Sequence, residues 1–178
     1  MSRQENLLKS LELLREASLK NDSLRAIKRL PAQEGNYVDY PKDVHPALVK
    51  AFREKGFERL YSHQQSCWEA IHQGKNAVVV TPTASGKTLC YNLPVLDSML
   101  KNTSARALYL FPTKALANDQ RAELDETIKL LPEEIRIFIY DGDTPQDARK
   151  AIRARGHIVL TNPDMLHAGI LPHHTKWI

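Results

Sequence analysis

The sequence predicts an α/β protein: a parallel sheet with helices on both faces, arranged around a phosphate-binding loop. Two observations predict it. From residue 76 onward, short and nearly uninterrupted apolar runs alternate with helical stretches, and one of those runs leads directly into TPTASGKT at 81–88. A chain of 178 residues with 42% hydrophobic content can bury the core of one ordinary domain plus an appendage.

The elements follow in order. From Leu7 to Leu30, apolar residues at 7, 8, 11, 14, 24 and 27 recur at helical spacing between charges, predicting one or two amphipathic helices in an extension over residues 1–30. Pro31 ends it. The stretch PAQEGNYVDYPKDVHP has three prolines, a glycine and no period, so residues 31–45 read as a connector to a main domain over 46–178. A helix is expected near 46–55. A second starts at Ser62, where Ser62 and Gln65 have capping-box spacing, and closes at Gly74. Strands are then expected at NAVVVT (76–81), RALYLF (106–111), IRIFIY (135–140) and HIVLTN (157–162), with helices from Gly86, about Thr113 and Pro145.

Composition narrows the function classes. A net charge of +4 permits a polyanionic partner without demanding one. Cys67 and Cys90 form no CxxC pattern, so neither a disulfide framework nor a zinc site is expected, and a reducing cytosol fits. The longest apolar runs are strand-sized and the N-terminus is charged throughout, which argues against membrane insertion and secretion.

In a phosphate loop, successive backbone N–H groups and the positive end of the following helix face the phosphate oxygens. Gly86 supplies the close backbone approach, Lys87 an ammonium for the terminal phosphates, and Thr88 a hydroxyl for Mg²⁺. Thr81 stands where the strict pattern has its first glycine. Pro82, Thr83, Ala84 and Ser85 complete the loop, and Ala84 must avoid a strongly positive φ. The expected ligand is ATP with Mg²⁺.

With those residues in view, the series LYSHQQ, TPTASGKT, FPTKALANDQ, YDGDT and TNPDML resembles the leading half of a superfamily 2 DEAD/DEAH-box-type helicase, from about residue 44 to the end. Within that superfamily it is similar to the bacterial mitomycin-repair type of DNA helicase. The resemblance implies a RecA-like domain, with Gln64 reading the adenine edge behind Gly56 and Phe57. Gln65 then caps the helix, and Phe57 and Tyr61 read as packing residues.

The resemblance also makes Pro112, Thr113 and Lys114 part of motif Ia, Gly142 and Asp143 the turn that follows, and Thr161, Asn162, Pro163 and Asp164 motif Ib. All of these lie along a nucleic-acid strand in such enzymes. The physics is consistent with that placement. Thr113, Thr144 and Asn162 sit where helix N-caps are expected, at three strand ends along one rim, so free N–H groups can grip sugar-phosphate without reading sequence. Lys114 is the expected phosphate partner.

Other signals are set aside. DETI at 125–128 has the letters of a carboxylate box but an amphipathic-helix pattern, so Asp125 and Glu126 read as a solvated face. The pair His173 and His174 lacks further ligands at zinc spacing, and Asp141 with Asp143 reads as a turn. The resemblance implies that an Asp-Glu pair and a second motor domain lie beyond this stretch. The intact protein is then expected to be a 3′-to-5′ DNA helicase in DNA repair, and this chain to bind nucleotide without hydrolysing it. A single-stranded DNA partner is expected, with no obligate protein partner. An RNA helicase, a small-molecule kinase and a binding module without ATP use are the alternatives.

Overall fold

A computed structural model describes residues 3–20, 28, 34–83 and 85–177. The chain forms two units, Met1–Gly35 and Asn36–Ile178. The first contains α1 (Arg3–Lys20), on which Leu7, Leu8, Leu11 and Leu14 are each more than half exposed. The expected helical positions 24 and 27 lie outside the described residues, as does Ala84 of the loop.

The second unit begins inside the expected connector, because Tyr37 and Val38 form β1 (Tyr37–Val38) and pair antiparallel with β2 (Leu60–Tyr61). α2 (Pro46–Glu54) starts with proline at its first turn, where no N–H is required. α3 (Ser62–His72) follows β2 directly and closes before Gly74 at φ +71°. Its cap lies one residue earlier than expected: Gln64, not Gln65, reaches back, its Oε1 accepting from the Tyr61 N–H at 2.8 Å, while Gln65 bonds Glu69.

α4 (Lys87–Lys101) carries Pro94 in its interior. Proline cannot bond the carbonyl four residues back, and that carbonyl, on Cys90, accepts instead from the Cys67 thiol of α3 at 3.5 Å. Burial pushes both thiols up, that of Cys90 to about 11, so neither is a reactive nucleophile.

β3 (Ala107–Leu110), β4 (Ile137–Ile139) and β5 (Ile158–Thr161) form a parallel sheet in the order β3-β5-β4, linked by α5 (Lys114–Ile128) and α6 (Gln146–Arg155). Alternation along the strands serves two cores. Tyr109, Ile137, Ile158 and Leu160 join Leu48, Trp68, Leu93 and Leu124 on one face. Val159 and Tyr140 join Ile152 and Ile170 on the other. Three short helical turns, Pro163–Met165, Leu166–Ile170 and Leu171–Lys176, end the described chain. No described helix is long and apolar enough to cross a membrane.

The expected strand at 76–81 does not form. These residues adopt no regular secondary structure, no described strand pairs with them, and Val78 and Val80 are each 89% exposed. An apolar run supplies a strand's side chains but not its hydrogen-bonding neighbour.

Candidate nucleotide and nucleic-acid sites

Gly86 adopts φ +73° at the start of α4, a conformation that a side chain rarely tolerates, and an added Cβ would meet Gln64 Nε2 at 2.6 Å. Gln64 is buried and donates to the Gly86 carbonyl at 2.8 Å. One amide thus joins the start of α3 to the turn of the phosphate loop. Lys87 folds back over that loop. Its Nζ donates to the carbonyls of Thr81 and Pro82 at 2.9 and 2.6 Å and lies 3.4 Å from the hydroxyls of Thr81 and Ser85, which bond each other at 2.5 Å. The ammonium therefore sits in a ring of oxygens beside the helix N-terminus, and Pro82 and Thr83 are exposed on the outer side.

Beside the loop lies a cavity of about 490 Å³ whose wall includes Gln64, Gly86 and Thr88. Phe57, Tyr61 and Tyr37 line the cavity; Tyr61 stacks on Tyr37 at 4.7 Å between ring centres, and Phe57 packs edge-on against Phe52. Tyr37 and Arg59, also in the wall, carried no motif in the sequence; antiparallel pairing of β1 with β2 brings Tyr37 there.

The second cluster is built by sheet order. Thr113 follows β3, Asn162 follows β5 and Asp141 follows β4, so residues far apart in sequence line one small cavity together with Lys114 and Thr161. Thr113 and Asn162 are N-caps as expected: Thr113 Oγ1 accepts from the Leu116 N–H at 3.2 Å, and Asn162 Oδ1 from the Met165 N–H at 2.8 Å. Pro112, Pro163 and Asp164 are exposed beside them. Thr144 is not a cap. Its hydroxyl closes the turn by accepting from the Asp141 N–H at 2.9 Å, and Pro145 takes the position before α6. Nor does Thr161 offer its side chain, which is buried and donates to the Tyr140 carbonyl at 2.6 Å.

The turn that holds Gly142 and Asp143 is braced by Arg149, whose Nε donates to the Thr144 carbonyl at 2.9 Å while its guanidinium lies 5.3 Å from the centre of the Tyr140 ring. Asp143 faces Lys114 in an ion pair. Asp125 and Glu126 lie on α5, within 3.6 Å of Arg121 and 3.9 Å of Lys55 respectively. Among the described residues no group of three potential ligands could hold a metal ion.

Residues 61–177 match the DEAD/DEAH box helicase family. The chain is 54% identical over 138 residues to the uncharacterized ATP-dependent helicase YprA of Bacillus subtilis, covering 78% of this chain and 18% of that protein. It is 36% identical to the ATP-dependent helicase hrq1 of Schizosaccharomyces pombe, covering 85% of this chain and 15% of that one. The crystal structure of the DUF1998 helicase MrfA bound to DNA and AMPPNP superposes with a TM-score of 0.78 at 52% identity, over 82% of this chain and 20% of its own. The chain thus spans about a fifth or less of the length of each relative. The RecA-like fold, the phosphate loop and the match across residues 61–177 agree: the chain belongs to the DEAD/DEAH box helicase family.

Proposed function

We propose that this chain is the ATP-binding and strand-gripping front part of an ATP-dependent DNA helicase. The observation that carries the reading is Lys87 held by the loop's own oxygens at the N-terminus of α4, beside a cavity sized for a nucleotide. Phosphate oxygens would take over the ammonium, and the base would enter the cavity that Gln64, Tyr37 and Tyr61 line. Thr88, in the same wall, would share a nucleotide-borne Mg²⁺, whose chemistry is to offset charge on the β- and γ-oxygens.

DNA as the strand is supported by the likeness to MrfA, whose structure holds DNA and AMPPNP. The strand would lie across Pro112–Lys114, the Gly142–Asp143 turn and Asn162–Asp164, held through helix-end N–H groups and Lys114. Backbone contacts of this type fit movement along any sequence. The 3′-to-5′ polarity and the repair role remain what the motif resemblance to superfamily 2 helicases implies.

Titration calorimetry with Mg-ATP tests the reading. Wild type should bind, and Lys87→Ala should bind at least tenfold more weakly with an unchanged melting temperature, since the exposed loop rather than the core loses contacts. Equal affinity in the variant would remove the phosphate-loop assignment.

A further inference from the structure

Three buried polar side chains stand in the wall of the cavity beside the phosphate loop: Gln64, Asn92 and Thr127. Buried polar groups are almost always paired, so what each still has to offer can be counted. Two are engaged at both ends. Gln64 accepts from the Tyr61 N–H and donates to the Gly86 carbonyl. The Thr127 hydroxyl donates to the Glu123 carbonyl at 3.2 Å and accepts from the Lys55 ammonium at 2.9 Å.

Asn92 differs. It is 6% exposed, and its Oδ1 accepts from the Tyr109 hydroxyl of β3 at 3.0 Å, while its Nδ2 bonds nothing among the described residues. The amide's orientation has a cause: burial pushes the Tyr109 phenol above its ordinary value, so it keeps its proton and must place it on an acceptor. The oxygen is taken, and two N–H donors are left over. Nor is Nδ2 shut away in the core, as the unpartnered indole nitrogens of Trp68 and Trp177 are. Asn92 lies on α4 four residues after Thr88, hence on the same face and about 6 Å farther from the phosphate loop. Phosphates held at Gly86–Thr88 leave that part of the cavity to the nucleoside. Phe52 and Leu89 stand in the same wall, and a neutral donor among apolar side chains suits the edge of a neutral ring rather than a phosphate.

We propose that Asn92 is a nucleobase-contacting residue whose amide nitrogen donates to an unprotonated ring nitrogen of adenine. It rests on the reading of the cavity as a nucleotide site given above. The tie to Tyr109 sets the direction of the amide before the nucleotide arrives, so the donor needs no reordering on binding. A base without an acceptor at that point leaves the amide unpaired and binds more weakly.

Mg-ATP and its 1-deaza, 3-deaza and 7-deaza analogues, each lacking one ring acceptor, are titrated against the whole chain as wild type, Asn92→Leu and Asn92→Leu/Tyr109→Phe. The double variant removes both partners of the buried bond, so it keeps the fold even where the single one strands the Tyr109 hydroxyl. One analogue should bind wild type about fivefold more weakly than ATP, the worth of one neutral hydrogen bond, and that gap should close in the variants. An Asn92 that serves only the fold would change all four affinities alike. Equal wild-type affinity for all four nucleotides overturns the proposal whatever the variants do, and a gap that persists in the variants overturns it too. A wild-type chain that binds none of the four overturns the functional reading itself, and this contact with it.

Discussion

The ammonium of Lys114 is paired with the carboxylate of Asp143, 29 residues later in the chain, and a second carboxylate oxygen, on Asp141, stands 3.9 Å away. The hydrogen bond to Asp143 is the chief reason that Lys114 is held above the ordinary lysine range. A phosphate that takes Lys114 must replace one acid oxygen with another.

Asp143→Asn should therefore bind single-stranded DNA more tightly, by roughly threefold, the modest scale of an exposed ion pair. Lys114→Ala should weaken binding across all sequences and flatten its salt dependence by about one counterion. Fluorescence anisotropy over a salt series checks both. Unchanged or weaker binding by Asp143→Asn would mean that Asp143 does not compete with the strand.

Gln64→Ala removes a side chain whose oxygen and nitrogen are both engaged, at Tyr61 N and Gly86 O. Stability should drop by about 1–3 kcal/mol, the cost of stranding buried partners. The preference for ATP over GTP should narrow as well. Thermal unfolding and paired nucleotide titrations separate the effects: lower stability with an unchanged ATP-to-GTP ratio would make Gln64 a strut alone.

Asp97 is 1% exposed near the end of α4, where it accepts from the His45 N–H and the Lys101 ammonium, each at 2.7 Å. Asp97→Ala should destabilise by about 2 kcal/mol, because the His45 N–H loses its acceptor. Denaturant unfolding reads this, and a loss under 0.5 kcal/mol, the usual scale of surface changes, would show that the segment before α2 relaxes to water.

Neither Asp125 nor Glu126 belongs to the phosphate loop or the cavity beside it. Asp125→Asn and Glu126→Gln should leave nucleotide affinity within about twofold, as surface changes do. The chain is expected to bind nucleotide with no measurable phosphate release. DNA-stimulated release abolished by either substitution would restore DETI as a carboxylate motif.

Much of this was legible in the sequence, for identifiable reasons. The runs around 107–110, 137–139 and 158–161 form the sheet; the central strand is buried on both faces, while the edge strand leaves Leu108 and Leu110 42% and 46% exposed on one of them. NAVVVT reads the same and forms no strand, since pairing belongs to the neighbour as much as to the run. Thr113 and Asn162 were legible as caps because each has its partner three residues on. Thr144 has a cap's letters, but its hydroxyl serves the turn behind it. The Lys114–Asp143 pair and the place of Tyr37 depend on strand order and on β1 meeting β2, which no local pattern encodes.

The phosphate loop hangs between unequal posts. On one side stands α4, fixed at its far end through Asp97 and along its length by Cys67 and Tyr109. On the other, residues 76–80 have no regular secondary structure and no strand partner among the described residues. Amide hydrogens should therefore exchange with solvent quickly before the loop and slowly after it. A nucleotide that draws the loop around its phosphates must also still the loose post, at about 1–2 kcal/mol per residue fixed. Protection gained on binding should accordingly appear on the near side, ahead of Thr81, and hardly at all along α4.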